Sequence, residues 1–215
     1  MKIKLLLIVL FVCSIKSFSQ IGFQENIVAS GSYTTGAAQF VKAADVDGDN
    51  DLDIITFGRG INWYENADGM GNFGQKNIIS AESYAGQSTS LFTLDFDYDG
   101  DIDLLSSMGN KFTLHKNANG LGDFQVKQVM ILGPTSSNVV VFPSDINGDG
   151  FIDILCFYQS NWTGTFQGKV VWYQNDGSGN FGPEQIINNN ADTTFETSLL
   201  YTADLDGDGF QDIIM

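Results

Sequence analysis

Apolar and polar positions alternate in short runs along residues 38–79, broken by clusters of Gly, Asp and Asn, with no apolar face recurring at helical spacing. The runs "AQFVKAAD" (38–45), "DIITFG" (53–58), "INWYEN" (61–66) and "NFGQKNII" (72–79) are rich in β-branched and aromatic residues and predict four short strands. Between the third and fourth, "ADGMG" has the composition of a tight hairpin turn. Between the first and second lies "DVDGDNDLD" (45–53), with five carboxylates in nine residues. Uncompensated, so many like charges repel and hold a segment open.

The pattern repeats. Acidic loops begin at residues 45, 95, 145 and 204, and a companion hairpin begins at Trp63 ("WYENADGMGNFG"), Leu114 ("LHKNANGLGDF") and Trp172 ("WYQNDGSGNFG"). Two motifs repeating in register about every fifty residues mean one supersecondary unit copied along the chain. Four-stranded units of this length predict an all-β fold, a β-propeller whose blades are the units. The third interval is longer because residues inserted around 161–168 separate the second and third strands of that unit. The final unit stops at Met215 within its second strand, so about three and a half blades are expected, as part of a longer ring.

Spacing explains the acid. Within each loop, side-chain oxygens fall at positions 1, 3, 5 and 9: Asp45, Asp47, Asp49 and Asp53; Asp95, Asp97, Asp99 and Asp103; Asp145, Asn147, Asp149 and Asp153; Asp204, Asp206, Asp208 and Asp212. A backbone carbonyl is expected at position 7, from Asp51, Asp101, Phe151 and Phe210. A chain coiling about a point turns alternate residues inward, and such an oxygen set suits Ca²⁺, which takes six to eight hard ligands in irregular geometry. Position 6 must turn sharply and is Asn50, Gly100, Gly150 or Gly209. An EF-hand would need a bidentate Glu at position 12, where the four loops have Thr56, Ser106, Cys156 and Met215.

These loops, each followed by an Asp-Ile or Asp-Leu strand, together with the "NFG" hairpins, resemble FG-GAP/VCBS-type repeats, the blades of integrin α-chain propellers and of many secreted bacterial proteins. The resemblance covers nearly all of residues 20–215. It implies a calcium-binding propeller, usually seven-bladed, that serves adhesion or ligand recognition. It also implies that the aspartates at positions 1, 3, 5 and 9 of each loop are the calcium ligands. Calcium is then expected to be structural.

Residues 1–19 carry Lys2 and Lys4, an apolar run from Leu5 to Val12 and small residues at Ser17 and Ser19, the pattern of a secretory signal peptide too short to span a membrane. A secreted or cell-surface location is expected. The whole chain has a formal net charge of −16; cleavage removes Lys2, Lys4 and Lys16 from ten basic residues, leaving seven against 26 acidic ones, or −19. Seventeen of the 26 carboxylates lie in the four loops, which disfavours nucleic acid and anionic lipid as partners and favours divalent cations. Cys156 is the one cysteine outside the signal, so no internal disulfide is expected.

Strand alternation puts the acidic loops and hairpin turns at one end of each blade and the 161–168 insertion at the other. Trp162 and Phe166 in that insertion are candidate ligand contacts for a glycan or a surface protein. Trp63, Trp172 and the sole histidine, His115, occupy repeat-conforming strand positions and read as scaffold. No nucleophile–base set, zinc set or phosphate-cradling loop is present, so a binding role is expected rather than catalysis. The other class considered is the propeller, or the catalytic part, of an exported carbohydrate-active enzyme such as a polysaccharide lyase.

Overall fold

The computed structural model describes residues 38–82, 88–132, 137–160, 167–191 and 200–215. The signal segment 1–19 and the insertion residues Trp162 and Phe166 lie outside the described residues. Every regular element among those described is a strand: β1 (Phe40–Ala44), β2 (Asp53–Gly58), β3 (Gly60–Tyr64), β4 (Lys76–Ser80), β5 (Ser88–Leu94), β6 (Asp103–Met108), β7 (Lys111–Asn117), β8 (Phe124–Ile131), β9 (Ser137–Ser144), β10 (Asp153–Ser160), β11 (Gln167–Tyr173), β12 (Gln185–Ala191), β13 (Tyr201–Ala203) and β14 (Asp212–Ile214). They form three four-stranded sheets in sequence order and a two-stranded sheet, β13–β14, with antiparallel pairing throughout. β1 lies beside β5, and β5 beside β9, so the first strands of consecutive sheets come together as the inner edges of propeller blades do.

Side-chain alternation builds this stacking. On β6, Leu104 joins a core shared with the first sheet, and its neighbour Leu105 joins a core shared with the third. On β10, Ile154, Cys156 and Tyr158 face the second sheet, while Leu155 and Phe157 pack with Val170, Leu200 and Ile213 toward β13–β14. A middle strand sandwiched on both faces has no solvent side, which is why every residue of β6 is buried. Each such Leu, Ile or Phe contributes about 2 kcal/mol by leaving water. The last strand of each sheet is instead exposed, with Ile78, Val126 and Ile186 open to solvent.

One expected element is shorter than its sequence run. The strand anticipated from Asn72 begins at Lys76, because the Gly74 amide donates to the Glu65 carbonyl at 2.7 Å and draws residues 72–75 out of the regular ladder. The third hairpin repeats this, with Gly182 N donating to Gln174 O at 2.8 Å and an isolated bridge between Asn175 and Phe181. Trp63 and Trp172 pack in the cores as expected. A side chain at Gly122 of the second hairpin would bring its Cβ to 2.3 Å from the Trp63 ring, so only glycine permits that approach. His115 is buried with Nε2 3.2 Å from Ser106 Oγ, and burial lowers its pKa to about 4, holding it neutral. Cys156 is a buried free thiol whose pKa burial raises.

Candidate cation sites in the acidic loops

Each acidic loop joins the first two strands of its sheet and coils on its own carboxylates. In the first, Asp45 Oδ1 accepts from Gly48 N at 2.8 Å and Oδ2 from Asn50 N at 3.0 Å. Asp49 Oδ1 accepts from Asp51 N at 2.8 Å. Position-1 carboxylates take the position-6 amide in the other loops too: Asp95 from Gly100, Asp145 from Gly150, and Asp204 from Gly209, at 2.9, 2.9 and 3.0 Å. Closing that ring demands a left-handed residue at position 6. Asn50 supplies it with φ 72°, where the other loops use glycine, so the first loop keeps the turn of its siblings.

The position-9 aspartates do something the spacing alone does not reveal. Asp53, Asp103 and Asp153 are buried, and both oxygens of each accept backbone amides. One amide comes from position 2 of the same loop: Val46, Phe96 or Ile146, at 3.1, 3.2 and 3.2 Å. The other comes from the hairpin asparagine: Asn66, Asn117 or Asn175, at 2.8, 2.9 and 2.8 Å. That asparagine then reaches across sheets. Asn117 Nδ2 donates to Val46 O of the first sheet, and Asn175 Nδ2 to Phe96 O of the second, both at 2.8 Å. A hydrogen-bonded line therefore runs from the second and third acidic loops through their position-9 carboxylates and hairpins to the loop of the preceding sheet. Burial raises the Asp103 pKa to about 6 and also raises that of Asp153, because their bonded amides offset only part of the desolvation.

Several loop oxygens fit a cation. Asp45, Asp47 and Asp49 bring ligand atoms within 4.8 Å of one another, as do Asp95, Asp97 and Asp99, and Asp204, Asp206 and Asp212. In the third loop Asn147 stands at position 3, its amide turned to Asp149 Oδ2 at 2.8 Å, and Asp145 and Asp149 remain as carboxylates beside it. Asp47 Oδ1, Asp95 Oδ1 and Asp97 Oδ1 are buried without a hydrogen-bond partner. Such orphaned acceptors cost free energy unless something positive meets them. Burial, with Asp53 and Asp49 nearby, raises the pKa of Asp47, the response of a carboxylate lacking its counter-charge. The donor set is all oxygen and anionic, which suits a hard divalent ion.

The hairpin turns lie at the same end of the sheets as the acidic loops. A Cβ on Gly69 would meet the Asp51 carboxylate at 2.6 Å, and one on Gly120 the Asp101 carboxylate at 2.3 Å. Neighbouring loops also touch. The Tyr98 hydroxyl donates to Gly150 O at 3.1 Å and accepts from Ile152 N at 2.7 Å, tying the second loop to the third. Sequence reasoning missed the hairpin asparagines as linkers. Their signal was in view, since each of the three hairpins has Asn directly after its Glu65, Lys116 or Gln174.

Tandem four-stranded antiparallel units, each with an acidic loop between its first two strands, define a propeller-type repeat protein. The FG-GAP-like repeat model matches residues 45–106, 95–156 and 145–215, and the chain belongs to that family. Among solved structures, the chain is similar to an Agrocybe aegerita lectin described as recognising non-reducing terminal N-acetylglucosamine. The two are 18% identical, with 82% of this chain and 60% of the lectin chain covered and a TM-score of 0.41. No curated protein matches the sequence. Among the described residues, no helix is long and apolar enough to cross a membrane.

Proposed function

We propose that this protein is an exported recognition module, a propeller-type repeat domain whose acidic loops bind structural calcium and whose opposite end meets a glycan or a surface protein. The observation that carries the calcium reading is the set of buried, unpartnered oxygens, Asp47 Oδ1, Asp95 Oδ1 and Asp97 Oδ1, on equivalent loops of successive sheets. Residues at positions 1, 3 and 5, with the position-7 carbonyl, would hold the ion. Position 9 would join them where it is open, as at Asp212. The ion supplies positive charge that offsets the mutual repulsion of the loop carboxylates. The chain's own contribution is to pre-coil each loop on its amides and to tie the first and second loops to the next sheet through its hairpin asparagine. Export rests on the signal-like segment 1–19, and the recognition end on the insertion containing Trp162 and Phe166.

A thermal melt of the chain in calcium, in magnesium and in excess chelator tests this reading. A site at tenfold excess of calcium over its Kd gains about 1.4 kcal/mol, and several sites together raise Tm by roughly 10 °C. Magnesium, which demands tighter octahedral geometry, raises it less. A transition at the same temperature in calcium and chelator contradicts the proposal.

A further inference from the structure

The residue preceding the hairpin asparagine differs in chemistry among the three four-stranded sheets: Glu65, Lys116 and Gln174. Two of them bond the acidic loop of their own sheet. Lys116 Nζ bonds Asp97 Oδ2 and lies 2.9 Å from Asp99 Oδ2, so one ammonium bridges positions 3 and 5 of the second loop. Gln174 Nε2 donates to Asp149 Oδ2, position 5 of the third loop, at 3.2 Å. Glu65 puts a negative charge at the same place in the first sheet. The first and second loops carry the same five aspartates, so this position is the main charge difference between them.

From that juxtaposition we infer that Lys116 is a tethered counter-ion that competes with a divalent cation in the second loop. The inference rests on the calcium reading above. Its geometric basis is that two of the three clustered carboxylates, Asp97 and Asp99, already share an ammonium through their Oδ2 atoms. The Asp97 side chain is only 6% exposed, and its other oxygen, with Asp95 Oδ1, remains buried and unpartnered. The second loop thus has two oxygens met by the ammonium from within and two still buried without a partner. A doubly charged ion entering there must displace the ammonium or lie against it, and either event weakens binding. Among the described residues no ammonium bridges the carboxylates of the first loop, where Glu65 stands in place of Lys116.

The test compares the full chain with Lys116→Gln, which installs the residue of the third sheet, using calorimetric calcium titrations and melts in chelator. Lys116→Gln is expected to tighten one calcium site about tenfold. Adding Asp97→Ala to Lys116→Gln is expected to abolish that gain, assigning it to the second loop. In chelator Lys116→Gln melts below the wild type, and saturating calcium narrows or reverses the gap. A Lys116→Gln protein that binds calcium no more tightly than the wild type, or that keeps the same Tm difference in chelator and in calcium, overturns the inference while leaving the calcium reading standing. A wild type that binds no calcium overturns both.

Discussion

The loops at 145–153 and 204–212 have nearly the same composition, yet one is embedded between sheets and the other caps a two-stranded sheet. Their tips fold alike. Asp145 Oδ1 accepts from Gly148 N at 2.8 Å and Asp204 Oδ1 from Gly207 N at 2.7 Å; Asp149 and Asp208 each accept the amide two residues on, at 2.9 and 2.8 Å. They part at position 9. Asp153 is fully buried and holds both Ile146 N and Asn175 N, whereas Asp212 is partly exposed and holds Leu205 N alone. Coiling of an acidic loop is thus a local matter of Asp, Gly and backbone amides. Burial of its last carboxylate depends on a hairpin and a neighbouring sheet.

Breaking that last carboxylate sharpens the comparison most. Asp153→Ala leaves two buried amides without acceptors, at a cost of about 1–3 kcal/mol each, and is expected to destabilise the protein by roughly 3 kcal/mol in urea unfolding. Asp212→Ala, at an open position with one amide to lose, is expected to cost under about 1 kcal/mol. Equal losses at the two sites would show that burial between sheets adds nothing to the role of this residue.

An effect of similar size but confined to acid probes the same contrast through His115, which is buried because β7 belongs to a sheet packed on its neighbours. Its folded pKa of about 4 lies below the 6.5 of an exposed histidine, chiefly through desolvation. The unfolded chain therefore binds a proton that the folded one refuses. Stability falls as pH drops from about 6.5 to about 4, with the full contribution of neutral His115 present above that window. The difference amounts to roughly 3 kcal/mol at the lower end. His115→Gln keeps a hydrogen-bonding group near Ser106 and cannot titrate. The gap between the two proteins across this window isolates His115 from carboxylates titrating in the same range. Wild type and His115→Gln declining in parallel would contradict a buried, neutral imidazole.

Strand order and loop position were legible in the sequence because both are written locally. "DIITFG" is a short run rich in β-branched and aromatic residues following an acidic loop, and its copies become the middle strands β2, β6 and β10. The odd-position aspartates announce converging oxygens. Less legible was whatever joins distant residues. Asn175 and Phe96 lie 79 positions apart, and nothing in the run "WYQN" says that its asparagine caps a carbonyl in the preceding sheet. Lys116 likewise reads as an ordinary solvated charge until β7 pairing with β6 places it over Asp97 and Asp99. The start of β4 was missed because Gly74 trades ladder pairing for the Glu65 carbonyl, a choice among backbone partners that side-chain alternation does not encode.

The most direct test of the account is a count of calcium bound per chain by equilibrium dialysis at about 1 mM free calcium, the range of weak extracellular sites. The wild type is expected to retain more than one ion per chain, and Asp45→Ala is expected to lose one of them while its circular dichroism remains that of a β-protein. A folded wild type that retains no calcium, or an Asp45→Ala protein that binds as many ions as the wild type, would contradict the assignment of these loops as cation sites.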